Sequence, residues 1–137
     1  MSIRTFFKNI FYMRRLKKSG LQFPLYCKIH GVKDSDRQGA LAQSRKGDRL
    51  QFVHIPKERF PYNIYVYSIP LNRVLGYLDE KLSAKLVYVF KKNFCRDAVI
   101  TEVTGGKPHP YLGCNICLFE TLDMMKDCED FSHLRGA

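Results

Sequence analysis

Residues 28–56, KIHGVKDSDRQGALAQSRKGDRLQFVHIP, decide the fold class. The hydrophobic period changes twice within and around them. Tyr26 to Val32 alternates and reads as a strand. Asp36 offers an N-cap for a short helix over Arg37–Ser44, closed by Gly47. From Arg49 to His54 the alternation returns through Leu50 and Phe52, a second strand.

Further along the chain the pattern repeats in short units. A proline-rich loop, Ile55 to Pro61, leads into a third strand at Asn63–Ser68, and Val74–Leu78 is a short fourth. Asp79 caps a helix over about residues 79–92, whose Leu82, Leu86, Val89 and Phe90 follow helical spacing. Ala98–Val103 is a fifth strand, ended by Thr104-Gly105-Gly106, and Tyr111–Phe119 a sixth. Towards the N-terminus, residues 3–18 place Ile3, Phe6, Phe7, Ile10 and Met13 on one face of a helix, with Arg4, Lys8, Arg15 and Lys18 largely off it. Gly20 is a stop, and Pro24 forbids continuation. The last segment puts Leu122, Met125 and Cys128 on one side of a short acidic helix. The fold expected is mainly β with short helices: a small six-stranded barrel preceded by a basic amphipathic helix. Its organisation is an arm at 1–25, a barrel at 26–119 and an acidic tail at 120–137. OB-like and SH3-like barrels both fit this pattern.

The 137 residues carry a net charge of +10, with 10 Phe, 8 Tyr and no Trp. Residues 1–33 hold eight Lys or Arg and no acid, whereas residues 119–137 hold two basic and five acidic residues. Such a field selects polyanions: nucleic acid, anionic lipid or an acidic protein. No apolar run approaches the roughly 18–20 residues that span a bilayer. Lys8 and Arg14 interrupt any signal-peptide core, so reduced thiols and a cytoplasmic setting are expected. The five cysteines, an odd number, are accordingly expected to be free thiols. Cys114, Cys117, Cys128 and His133 have zinc-ligand types, but Cys114 and Cys117 stand three apart in a strand and point to opposite faces. No metal or other cofactor is therefore expected.

No P-loop, G-x-S-x-G or H-E-x-x-H is present, so neither catalysis nor a small-molecule substrate is expected. Asp34, Asp36 and Asp48 could gather around a cation, yet a basic residue accompanies each, which favours a salt-bridged surface. The basic arm leaves three readings open. It lies on an anionic membrane through residues 1–18, or along a nucleic-acid backbone, or its apolar face docks on the barrel near the acidic C-terminal helix.

The order of segments carries a further signal. KIHGVKDSDRQGALAQSRKGD is followed by RLQFVHIP, YNIYVY, VLGYLDEKLSAKL and ITEVTGGKPHPYLGCNI. With Gly31-Val32, Arg37-Gln38, Gly47-Asp48, Gly76-Tyr77-Leu78 and Thr104-Gly105-Gly106 in sequence, residues 26–119 resemble the HIRAN domain. The resemblance implies an OB-type barrel and binding of single-stranded DNA, accessory to DNA processing or repair. Its motifs contain Arg37, Gln38, Tyr62, Asn63 and Tyr77; independently, a single-strand site needs cations and rings, for which Lys33, Arg37, Arg45, Arg49, Lys57, Arg59 and Lys107 and the aromatics Phe60, Tyr62, Tyr65, Tyr67 and Tyr77 are available. The nucleic-acid contacts expected are Lys33, Arg37, Gln38, Arg59, Tyr62, Asn63, Tyr77 and Lys107. The resemblance does not carry over the 3′-end pocket of a eukaryotic relative, because Lys33-Asp34 and Gly105 stand where that module has aromatics. The same barrel without nucleic acid would serve as a protein-interaction adaptor.

Overall fold

The computed structural model describes residues 2–91 and 94–119. The order is α1 (Ile3–Ser19), β1 (Leu25–Lys28), α2 (Ser35–Ala42), β2 (Arg49–His54), β3 (Ile64–Ser68), β4 (Arg73–Tyr77), α3 (Glu80–Phe90), β5 (Cys95–Gly105) and β6 (Leu112–Leu118). The six strands form one antiparallel sheet in the order β1-β6-β5-β2-β3-β4. The mainly β architecture expected from the periodicity is present: six antiparallel strands curl around the main core, consistent with a small OB-like fold.

Curling follows from β5. Its first half pairs with β2 and its second half with β6, so it turns a corner that no flat strand could. The register with β6 shifts between Ile100 and Glu102, and a second shift lies between Val66 and Tyr67 of β3. Such bulges bend a strand and increase its twist. Leu50, Phe52, Ile64, Val66, Leu75, Ile100, Ile116 and Leu118 then converge, all fully buried. Ala40 and Leu41 of α2 and Leu86 and Val87 of α3 pack into the same core.

The two edges of the curled sheet meet at one point. Beyond β1 the chain continues to His30, whose N–H donates to the Tyr77 carbonyl at 2.8 Å and whose carbonyl accepts from the Tyr77 N–H at 3.0 Å. Two glycines permit this approach. A Cβ on Gly76 would overlap the His30 carbonyl, and one on Gly31 would overlap the Tyr77 ring. Gly31 also has φ +66, where side chains are strained. For that reason β1 stops at Lys28 rather than running to Val32.

Several boundaries differ from the sequence reading. Asp34, not Asp36, caps α2, accepting from the Arg37 N–H at 2.8 Å. Asp36 sits in the first turn instead, where its charge suits the helix dipole. Strand β5 is longer than Ala98–Val103, because pairing with β2 recruits Cys95 to Asp97. The acidic segment 120–137 lies outside the described residues.

Of the three readings open for α1, docking of its Phe-rich face on the barrel is not seen among the described residues. Tyr12, on the other side, is buried and stacks on Phe90 at 5.9 Å, and Arg15 Nε donates to the Val89 carbonyl at 3.0 Å. The contact satisfies a guanidinium donor and packs a ring, which the apolar arc cannot do at once.

The thiols also need correction. Cys95 is disulfide-bonded, while Cys27, Cys114 and Cys117 are free. An odd count requires one unpaired cysteine, not five. Cys114 faces the core and Cys117 the opposite side of β6, so they cannot share a metal. Cys128 and His133 lie outside the described residues. Among the described residues no group of His, Cys, Asp or Glu is placed to hold a metal, and no helix is long and apolar enough to cross a membrane.

Two predictions follow from these contacts. Gly76→Ala should destabilise the protein by at least about 2 kcal/mol, because the added methyl meets backbone rather than a movable side chain. Gly39→Ala, in α2 with open space around it, should instead stabilise by about 0.5–1 kcal/mol. Urea unfolding of both variants checks the pair; equal effects would contradict the closure geometry. Burial, reinforced by neighbouring Cys117 and by Asp48 with Cys27 respectively, pushes the Cys27 and Cys114 thiols up to about 12, and burial raises Cys117 as well. Their contribution to stability is full below the unfolded thiol pKa of about 8.5 and is lost as pH rises towards the folded value. A thiol reagent at pH 8 should label these three slowly in the native protein and promptly after denaturation. Equal labelling rates would show that they are not buried acids.

Candidate nucleic-acid interface

The loop between β2 and β3 is fixed by its own backbone. Lys57 and Phe60 exchange N–H to carbonyl bonds at 3.1 and 3.0 Å, and the Asn63 N–H donates to the Phe60 carbonyl at 3.0 Å. Asn63 also closes the base of the loop: its carbonyl accepts from the Ile55 N–H at 2.9 Å, and its Nδ2 donates to the Ile55 carbonyl at 3.2 Å. Buried His54 adds a bond between its Nε2 and the Pro61 carbonyl at 2.8 Å. These bonds satisfy backbone groups that a loop would otherwise leave to water. They let the loop hold two rings outward, with Phe60 55% and Tyr62 45% exposed.

Opposite this loop stands the barrel closure. Tyr77 is 40% exposed and faces the Arg37 guanidinium at 5.8 Å, within cation–π range. Arg37 is itself anchored: Nη1 donates to the Gly31 carbonyl at 2.6 Å and Nε pairs with Asp34 at 3.3 Å. Loop, closure and the first turn of α3 enclose a cleft of about 500 Å³. Phe60, Tyr62 and Tyr77 supply its exposed rings, and Arg37 and Lys57 its positive charge. Lys57 Nζ lies 5.2 Å from the centre of the buried Tyr65 ring. Glu80 and Ser83 of α3 form the remaining wall.

Of the residues singled out from the sequence, Arg37, Tyr62, Asn63 and Tyr77 line this one cleft. The other four do not. Gln38 ties α2 to the barrel: its Nε2 donates to the carbonyls of Val32 at 2.7 Å and Leu112 at 3.0 Å, and its Oε1 accepts from the Leu112 N–H at 2.9 Å. With both ends of the amide engaged, its role is structural. Lys33 lies over the Tyr111 ring at 5.4 Å, outside the cleft. Arg59 is exposed on the β2–β3 loop and Lys107 in the β5–β6 turn. Glu80 and Ser83 escaped the sequence reading, although Asp79 caps α3 and so sets its first turn directly after Tyr77-Leu78. Tyr65 and Tyr67 pack with Val53 and Ile55 on the outer side of the sheet, so their faces are not open for stacking. Asp34 and Asp48 are spent on local bonds to the N–H groups of Arg37 and Arg45 rather than gathered around a cation.

Comparison of the chain with protein-family models, with curated proteins and with solved structures finds no match.

Proposed function

We propose that the protein is a HIRAN-like binding module for single-stranded nucleic acid, with single-stranded DNA its ligand and the Phe60–Tyr62–Tyr77 cleft its site. The observation that carries this reading is the convergence of three exposed rings and two cations on one cleft. Single strands are held by stacking of bases on aromatic faces and by a positive track for the backbone. Glu80 repels phosphate from the α3 wall, so the backbone would run along the Arg37–Lys57 side with bases turned towards the rings. The chain's +10 charge adds a long-range field that raises the rate of encounter. The sequence order that resembles HIRAN domains and the OB-like sheet support the same reading. Arg37 serves twice here, because the bonds that anchor it also hold its charge beside Tyr77. Binding requires no catalytic group, and the module would act beside an enzyme of DNA processing or repair.

Titration of a labelled oligothymidylate tests this. Binding should weaken with salt, log K falling by about 0.7 per phosphate contact for each unit of log salt. Phe60→Ala and Tyr62→Ala, both exposed, should each cost about 1–3 kcal/mol of binding if they stack on a base, with folding unchanged. Lys107→Ala, outside the cleft, should have a smaller effect. Free and phosphorylated 3′ ends should bind alike, because Gly105 and Asp34 stand where an end-recognising relative has aromatics. No binding at low salt, or binding indifferent to both ring substitutions, would move the cleft to the protein-adaptor reading.

A further inference from the structure

The apolar face of α1, which meets no partner among the described residues, is a second surface that the cleft does not explain. Ile3, Phe6, Phe7, Phe11 and Met13 are each at least 49% exposed. Phe6 and Phe7 meet edge-on at 5.7 Å and Phe7 and Phe11 stack at 6.4 Å, forming a continuous row of rings. Folded proteins seldom leave contiguous apolar surface of this kind without a use. The helix is not loose. Ser2 caps it, Gly20 ends it in the left-handed conformation, and Tyr12 and Arg15 hold its opposite side on α3. The exposed row is therefore presented in a fixed orientation.

Charge identifies what would cover it. The helix contains six Lys or Arg and no acidic residue. Several of these share the apolar arc rather than opposing it. Arg14 follows Phe7 and Lys17 follows Ile10, each two helical turns on and hence on the same face; Lys18, two turns after Phe11, falls at the edge of the widened arc that Phe11 adds rather than off it. A protein groove that took the rings would have to bury these cations and supply acids for them. An anionic bilayer meets both requirements at once, because the rings enter the acyl boundary while the long basic side chains reach back to the phosphates. We propose that α1 lies in the plane of an anionic membrane surface, with Ile3, Phe6, Phe7, Phe11 and Met13 towards the acyl chains and Arg4, Arg14, Lys17 and Lys18 among the headgroups. The surface is separate from the cleft: Glu80 and Ser83 line the cleft at one end of α3, and Val89 and Phe90 receive α1 at the other. Both can be occupied together, which would hold a nucleic-acid module at a membrane.

Co-sedimentation of the full chain with vesicles tests the proposal. One set is phosphatidylcholine alone; the other contains about a third phosphatidylglycerol. The chain should pellet with the anionic set and much less with the neutral one. Arg14→Gln and Lys17→Gln should each weaken binding about fivefold at low salt. The double variant Phe7→Ser, Phe11→Ser should lose at least about tenfold, with its circular dichroism unchanged. Tyr62→Ala should bind vesicles like the parent, so failure here is distinguishable from failure of the nucleic-acid reading. Absence of anionic-vesicle binding overturns the proposal and leaves the face to a protein partner. Equal binding to neutral vesicles, or indifference to the Phe7 and Phe11 changes, also overturns it. Self-association abolished by the double variant, without vesicle binding, would assign the face to a second copy of the chain.

Discussion

The pairing of His30 with Tyr77 is the contact on which the rest of the structure depends. Every other strand pair joins neighbours in an open sheet; this one joins its two edges. An open edge presents unpaired N–H and C=O groups, and closure removes that liability where the edges touch. The contact is short in hydrogen bonds, having two, and it is sterically demanding. Gly31 and Gly76 leave no side chain between the approaching backbones. Gly31 also turns the chain away towards α2, so the same residue closes the barrel and starts the segment that covers one of its ends.

The candidate site is built from that closure. The Gly31 carbonyl, exposed by its left-handed turn, receives Arg37, and Tyr77 packs where a Gly31 side chain would have stood. Arg37 and Tyr77 are thus positioned by the backbone of the barrel rather than by each other. Across the cleft, His54 and Asn63 fix the loop that carries Phe60 and Tyr62. A ligand entering such a site meets a loop whose backbone is already tied down, which spares the entropy of ordering that backbone on binding.

Much of the fold was legible in the sequence because it is written in short-range periodicity. The alternation through Leu50 and Phe52 and the spacing of Leu82, Leu86 and Val89 identify strand and helix without tertiary information. Closure was not legible, since nothing local shows that Gly31 and Gly76 face each other. The choice between Asp34 and Asp36 as cap was equally invisible, both being good capping residues. Part of the cleft's lining could be read: Arg37, Tyr62, Asn63 and Tyr77, singled out from the sequence although some are far apart in it, share the one cleft. Gln38 misled because an amide that anchors a helix and one that contacts a ligand look alike in sequence. The α1 face misled for a deeper reason. The rule that an apolar arc turns inward assumes that burial is the only use for it, whereas Tyr12 and Arg15 provide the docking contact here. The disulfide at Cys95 was hidden because pairing depends on distance, which residue counts do not give.

The central claim is that one cleft, assembled by barrel closure, receives the nucleic acid. The measurement that tests it most directly is the amide spectrum of the isotope-labelled protein during addition of an oligothymidylate. The account predicts shift changes concentrated at Arg37, at Lys57 to Asn63, and from Tyr77 to Glu80, saturating together. Changes confined to α1 or to the Gly105–Tyr111 turn, with the cleft residues unmoved, would contradict it.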